Sequence, residues 1–346
     1  MKIDDFSLGE GTVFIVAELS ANHANDINIA KETIRAAARC GADAIKLQTY
    51  RADSITLKSD NEYFKIKQET IWDGRTLYEL YKEASLPYEW HKELFATAKE
   101  EGLICFSSPF DRKAVDFLEE LETPAYKVAS FEITDIPLIE HMAKKQKPII
   151  ISTGIATLED IELAVQTCRD VGNDQIILLK CTSAYPAEPS AMNLKTMQDL
   201  SKRFHVLSGL SDHTLGITAP VAATALGAVM IEKHFILDRS IGGADSSFSL
   251  DESEFTLMVQ AVRETQKLLG GVTYELNEKT KRSREFSRSL FVAKEIKKGE
   301  LFSEENIRSV RPGFGLHPKN YNQILGKRAA KNLKRATPLK LEDIIF

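Results

Sequence analysis

The 346-residue chain contains no run of the roughly 18 apolar residues that a helix needs to cross a bilayer. It also lacks a charged-then-apolar leader, so the expectation is a cytoplasmic protein with no membrane partner. Cysteine is scarce. The four, at 40, 105, 168 and 181, have no CxxC spacing, and two fall inside predicted strands, which argues for buried reduced thiols and against a zinc cluster. Cys181 stands at a strand end, where a thiol either packs or lines a site. Also missing is the GxGxxG turn of a dinucleotide fold, because Glu18, at the end of the first apolar run, is followed by Leu19-Ser20-Ala21-Asn22-His23.

What the chain does have is a repeated alternation. Short β-branched runs occupy 13–19, 44–48, 103–107, 125–129, 148–152, 175–181, 206–210 and 228–235. Between them, stretches such as 29–40, 88–101, 112–120, 158–171 and 218–226 carry apolar residues at helical spacing. Strands apolar on both faces read as a parallel sheet covered by helices. Eight such units in residues 1–270 predict an α/β chain built as a (β/α)8 TIM barrel rather than an open doubly wound sheet.

Charge divides the chain further. From Lys281 to the end, 16 Lys and Arg stand against 7 Asp and Glu, a net of +9, which leaves −14 for residues 1–280 out of the whole-chain −5. The reading is a barrel over 1–270, a polar glycine-led linker over 271–284, and a small β-rich module over 285–346 with turns at Lys298-Gly299 and Pro312-Gly313. The positive charges are spread through the module without interleaved aromatics, so nucleic acid is not the expected partner. A solvated face, or a lid that brings positive charge over an anionic site, remains.

A barrel collects its chemistry at the carboxyl ends of its strands. Those ends carry Glu18 with Asn22 and His23; Lys46 and Gln48; Ser107 and Ser108; Lys127, Ser130 and Glu132; Ser152, Thr153 and Gly154; Thr182, Ser183 and Tyr185; Ser211, Asp212 and His213; and Glu232 with His234. A single polar residue at a strand end means little, because helix caps need Ser, Thr and Asp there anyway. As a set they fall into two groups. Lys46, Lys127, Ser107, Ser130, Ser152 and Ser211 offer ammonium and hydroxyl donors suited to a phosphate, with the alternative that the lysines are paired with Glu18 or Glu132. His213 and His234, from neighbouring strands, suit a divalent ion of the manganese, cobalt, magnesium or zinc group whose other positions are filled by oxygen ligands.

These residues carry a resemblance. Ala17-Glu18 with Asn22-His23, Lys46-Leu47-Gln48-Thr49, Ser107-Ser108-Pro109-Phe110, Tyr126-Lys127-Val128-Ala129-Ser130, Ser152-Thr153-Gly154, Cys181-Thr182 with Tyr185-Pro186, Gly209 to Thr214, and Glu232-Lys233-His234-Phe235 together resemble the sialic acid synthase family. The tail resembles the antifreeze-like (SAF) domain that closes those chains, with Val310-Arg311-Pro312-Gly313 at its arginine-bearing turn. Trp72-Asp73-Gly74-Arg75, Leu77 to Tyr81, Pro87 to His91, Ser246 to Ser249 and Pro312 to Pro318 lie nearest the pseudaminic branch of the family.

The resemblance implies a transferase that condenses phosphoenolpyruvate with an amino-sugar aldehyde and water, releasing phosphate, for flagellin or surface polysaccharide. It implies that Lys46, Lys127, Ser107, Ser130, Ser152 and Ser211 hold phosphoenolpyruvate and that His213 and His234 hold Mn2+, Mg2+ or Co2+. Glu132 falls at the position of the general acid or base. Glu18 and Asp245 match carboxylates near the reacting carbons or the sugar hydroxyls, and Tyr185 joins the substrate-binding set. Ser183 departs from the family pattern, which has Asn there. Arg311 matches an arginine that acts in the other subunit of a domain-swapped homodimer.

The sugar expected for the pseudaminic branch is 2,4-diacetamido-2,4,6-trideoxy-L-altrose, with the N-acetylneuraminate and legionaminic acid branches as alternatives. Sugar choice should lie in the long segment 49–87, which carries Tyr63, Phe64, Trp72, Tyr78 and Tyr81; residues 75–82 read equally as a helix packed on the barrel. Two readings from other classes stand beside this one: a Schiff-base aldolase using Lys46, Lys127 or Lys180, and a non-catalytic carbohydrate- or ice-binding protein.

Overall fold

Eight parallel strands close into a barrel in the computed structural model, which describes residues 1–67 and 73–346. They are β1 (Phe14–Glu18), β2 (Ala44–Thr49), β3 (Ile104–Pro109), β4 (Tyr126–Val128), β5 (Ile149–Ser152), β6 (Ile176–Cys181), β7 (Leu207–Asp212) and β8 (Met230–His234). Each coincides with one of the runs read from the sequence, and helices follow the strands as the TIM-barrel reading requires. β8 pairs with β1 to close the ring, setting Met230 opposite Phe14 and His234 opposite Glu18.

Alternation along each strand sorts the side chains into two layers. On β5 and β6, Ile149, Ile151, Ile176 and Leu178 pack outward against the helices. Ile150, Ile177 and Leu179 point inward and meet Phe14, Val16, Ala44, Ile104, Phe106 and Met230 in the barrel interior. An N-terminal hairpin, Lys2–Ile3 with Phe6–Ser7, adds Ile3 to this interior cluster, and the Phe6 and Phe14 rings lie 4.6 Å apart. The inward file is therefore apolar at the amino ends of the strands and becomes polar only at their carboxyl ends.

Local capping fixes where the helices begin. Asp26 accepts from Asn28 N at 2.7 Å ahead of the Ile27–Arg39 helix, and Thr157 with Asp160, and Asp251 with Glu254, form capping boxes ahead of Leu158–Asp170 and Glu252–Leu269. The segment after β2 holds a short helix at Ala52–Ile55, a single turn at Glu62–Phe64 and a helix at Leu77–Ala84. Trp72 lies outside the described residues.

The chain divides into two units, Met1–Gly270 and Gly271–Phe346. The second is β-rich. It pairs Ser289–Val292 with Ile307–Val310 and Arg328–Ala329 with Ile344–Ile345 around a core that includes Leu290, Val292, Phe302, Ile307 and Leu339. All four cysteines are free and buried.

Gly209 on β7 shows how tightly the barrel is packed. A Cβ there would stand 2.4 Å from the Met230 carbonyl oxygen and 2.9 Å from Leu179 Cδ2. Because the first of these is backbone, no rotamer change relieves it. Gly209→Ala is expected to cost about 1–3 kcal/mol and to lower the Tm by about 2–4 °C for each of them. An unchanged thermal unfolding curve would contradict this packing.

Candidate active site

The polar ends of the inward files line a cavity of about 810 Å³ at the carboxyl face of the barrel. Six strands contribute at a period of two from the inward residues below: Glu18 above Val16, Lys46 above Ala44, Ser152 above Ile150, Cys181 above Leu179, Ser211 above Gly209, and Glu232 and His234 above Met230, and β4 adds Lys127.

Four buried charges meet there. Lys46 Nζ is paired with Glu18 Oε2 and lies 3.7 Å from Glu232 Oε1, while Lys127 Nζ lies 3.4 Å from the same Glu232 oxygen. Ser211 Oγ donates to Glu232 Oε1 at 3.0 Å, Lys46 Nζ to Ser108 Oγ at 3.3 Å, and Gln48 Nε2 to Glu18 Oε1 at 2.9 Å. Burial pushes Glu232 up, but Lys127 and Lys46 more than offset it and hold its carboxyl below the usual range. Burial also raises Glu18 and lowers Lys127, in each case against the pull of the opposite charge nearby. Lys46 ends above its usual value because Glu18 and Glu232 overcome the effect of burial. Lys46 is balanced by Glu18, and Lys127, which shares Glu232 with it, keeps donors free for a further anion.

Hydroxyls form a cradle beside the lysines. Gly154 N donates to Ser130 Oγ at 3.1 Å, and a Cβ on Gly154 would fall 2.1 Å from Ser183 Oγ and 2.7 Å from Ser130 Oγ, so only glycine allows this approach. Ser152 Oγ is buried without a hydrogen-bond partner. A buried hydroxyl left unsatisfied is costly unless a ligand completes it.

The two imidazoles stand with ring centroids 5.2 Å apart, and Phe248 lies edge-on to His234 at 5.0 Å. His213 Nδ1 donates to Thr182 O at 3.0 Å, which leaves Nε2 to bind a further partner. Burial lowers the His234 pKa well below its ordinary value, aided by His213, Lys46 and other cations, so the ring is neutral. Its Nδ1 is buried without a hydrogen bond, 3.9 Å from Asp245 Oδ2. Burial opposes charge on His213, but Cys181, with Sγ 3.8 Å from Nδ1, raises its pKa overall. Reciprocally, burial pushes the Cys181 thiol up and His213 brings it down, to about 7.

Glu132 follows β4 in a single turn, Ser130–Glu132, with Oε2 buried and without a hydrogen bond. Burial, opposed by Lys127, pushes its carboxyl up to about 7. Asp245 accepts from Ser20 Oγ and from Ala21 N at 3.4 Å, and Gln48 Nε2 donates to Ser20 Oγ at 2.9 Å. The segment after β2 supplies an apolar wall in which Ile55, Ile66, Leu77, Leu80 and Tyr81 face the cavity beside Tyr50.

The structure brings together most of the residues singled out in the sequence. Glu18, Lys46, Lys127, Ser130, Glu132, Ser152, Ser183, Tyr185, Ser211, His213, His234 and Asp245 all line one cavity. Ser107 does not. Its place on β3 turns it outward, where its Oγ lies 2.6 Å from Thr49 Oγ1, which in turn lies 2.8 Å from His91 Nε2. Ser108, one residue on, takes the inward position beside Lys46. Arg311 belongs to the second unit, at the end of the Ile307–Val310 strand. Among the aromatics of the 49–87 segment, Tyr63 and Tyr81 line the cavity, whereas Phe64 and Tyr78 do not. Glu232 was visible at a strand end but had no role assigned; the two-residue step from His234 signals that it faces the same way. Gln48 was likewise visible at a strand end without a role assigned, and Ser20 had not been singled out.

Comparison with known proteins agrees with this geometry. The NeuB family matches residues 33–274 and the SAF domain matches residues 287–345. The chain is 52% identical over 343 residues, 99% of both chains, to a pseudaminic acid synthase of Campylobacter jejuni. It is 52% identical over 331 residues, 95% of this chain and 97% of the relative, to a pseudaminic acid synthase of Helicobacter pylori. The crystal structure of a Bacillus subtilis spore coat polysaccharide biosynthesis protein superposes with a TM-score of 0.67 at 34% identity, covering 100% of this chain and 99% of that one.

The charge network makes a stability prediction. Glu232→Gln leaves Lys127 without its nearest carboxylate and is expected to cost about 3–5 kcal/mol in urea unfolding, the usual consequence of breaking a buried pair from one side. A loss within error of zero would show that the lysines do not depend on it.

Proposed function

The chain belongs to the NeuB family, and from that premise we propose that it condenses phosphoenolpyruvate with 2,4-diacetamido-2,4,6-trideoxy-L-altrose and water to give pseudaminic acid and phosphate. The observation that carries this reading is the meeting, in one buried cavity, of a lysine and hydroxyl cradle with a pair of imidazoles. The identity to pseudaminic acid synthases over 99% of the chain supports the choice of sugar. So does the apolar wall of Ile55, Ile66, Leu77, Leu80 and Tyr81, which suits a 6-deoxy sugar with two acetamido groups.

The chain's own groups divide the work. Lys46, Lys127, Ser130, Ser152 and Ser211 receive the phosphate and carboxylate of phosphoenolpyruvate, and the incoming anion satisfies the Ser152 hydroxyl. His213 and His234 fit a divalent cation, because one buried nitrogen has no partner and the other ring is turned by Thr182. When bound, such an ion (Mn2+, Mg2+ or Co2+) supplies Lewis-acid polarisation of the sugar aldehyde. Gln48, Tyr185 and Asp245 orient the sugar. Carbon 3 of phosphoenolpyruvate bonds to the aldehyde carbon, whose oxygen takes up a proton and becomes a hydroxyl. Water adds to carbon 2 and gives one proton to Glu132, which passes it to the new alkoxide; the tetrahedral centre then forms the keto group as its bond to the phosphate oxygen breaks and the phosphate leaves with the second water proton. Glu18, bound to Lys46 and Gln48, holds the lysine in place while this happens. Ser183 contacts phosphate or sugar. A cytoplasmic, domain-swapped homodimer in which Arg311 serves the other subunit's site completes the proposal.

Phosphate release from phosphoenolpyruvate tests it. With Mn2+ present, release is expected with the altrose sugar and not with its legionaminic counterpart or N-acetylmannosamine, and chelator is expected to abolish it. His213→Ala should lower kcat by at least about 100-fold. Preference for another sugar would move the specificity assignment alone; no release with any sugar would overturn the synthase reading and reopen the aldolase, which borohydride trapping would reveal.

Glu132 gives a pH signature. With its carboxyl near 7, the basic form gains as pH rises, so kcat/KM is expected to climb through an inflection near 7. Glu132→Gln should lose both the activity and the inflection; a profile unchanged in the variant would remove Glu132 from the proton transfer.

A further inference from the structure

One buried pair of charges has no part in the chemistry above. Lys233 Nζ lies 2.5 Å from Asp212 Oδ2, and neither side chain is exposed at all. The two residues are Cα partners across β7 and β8. They sit at odd steps from Ser211, Glu232 and His234, so they face away from the cavity and do not line it. On that outer side they share the layer of Leu210 and Ile231, which belong to the apolar core between sheet and helices. An ion pair in such a layer contributes little net stability, because removing two charges from water costs about as much as their attraction returns.

Its attachments point to another use. Lys233 Nζ donates to Thr214 O as well as to Asp212. Asp212 Oδ1 accepts from Thr214 N at 2.9 Å, and its Oδ2 accepts from Thr214 Oγ1 at 3.2 Å. The residue between these anchor points is His213. It lies beyond the last rung of the β7–β8 ladder, which ends at Asp212 and Lys233, so sheet pairing with β8 does not hold it. His234 is the residue after Lys233 and sits in the ladder opposite Glu18. A single lysine thus ties the segment that carries one imidazole to the strand that carries the other.

We propose that Lys233 and Asp212 are positioning residues that set the spacing of His213 and His234 for a shared divalent cation. The inference rests on the two-histidine reading given above. It differs from that reading in placing the control on the far side of the barrel wall, where neither side chain touches ion or substrate.

The test measures Mn2+ binding to metal-free protein by the loss of the free-ion electron paramagnetic resonance signal, with no substrate and no turnover. Lys233→Met is expected to weaken Mn2+ binding by about 10–100-fold, the usual range for groups that orient a metal ligand. Because that variant leaves Asp212 charged, buried and unpaired, Asp212→Asn/Lys233→Met, which keeps an acceptor for Thr214 N, is measured beside it. The double variant removes both charges together and is expected to keep the parent's Tm, or exceed it, while binding Mn2+ as weakly as the single variant. Lower affinity at an undiminished Tm is a split that a merely structural pair would not produce. Unchanged affinity in the folded double variant, with binding lost in His213→Ala, would overturn the positioning role and leave the metal reading intact. Unchanged affinity in His213→Ala would overturn both.

Discussion

Closure of the barrel is the constraint on which the rest depends, because it brings Glu18, Lys46, Lys127 and Glu232 from β1, β2, β4 and β8 into one buried network. None of these groups is tolerable alone in that position, since an unpaired buried charge costs several kcal/mol. Together they are mutually compensating but not saturated. Glu232 serves two lysines through one oxygen, which leaves ammonium donors that an incoming anion can engage.

The lower half of the same barrel makes this arrangement possible. Phe14, Phe106, Ile150, Ile177, Leu179 and Met230 fill the interior below the charges, so the strands keep their spacing without help from the polar layer. The division also fixes where chemistry can occur. Polar inward positions begin just above the apolar layer, at Glu18, Lys46, Lys127, Ser152, Ser211 and Glu232, and the loops that follow the strands add Ser130, Glu132, Ser183, Tyr185 and Asp245. Glu132, with one carboxyl oxygen buried and unbonded, and Ser152, with its idle hydroxyl, are held ready by backbone that the barrel has already ordered.

Much of this was legible in the sequence because strand ends are legible. The β-branched runs mark the eight strands to within a residue or two, and residues just beyond them fall at the mouth by topology alone. Which of two adjacent residues faces inward was harder. Ser107 and Ser108 look alike in the sequence, and only the register of β3 against β2, which sets Lys46 beside Phe106, turns Ser108 inward. Glu232 was hidden for a different reason: β8 is hydrogen-bonded to β1 and β7, and its lysine partners come across the barrel from β2 and β4. Contacts across a closed interior leave no periodic trace along the chain. The long segment after β2 was evident from its length, but its sorting of Tyr81 toward the cavity and Tyr78 away from it depends on how the Leu77–Ala84 helix is rotated.

The most direct test of the account is a crystal structure of the protein soaked with Mn2+ and phosphoenolpyruvate, with the ion located by anomalous scattering. The account predicts one ion bonded to both His213 and His234, with the phosphate of phosphoenolpyruvate among Lys127, Ser130, Ser152 and Ser211 and with Glu18 still paired to Lys46. An ion bound without either histidine, or a phosphate held away from the lysines, would contradict it.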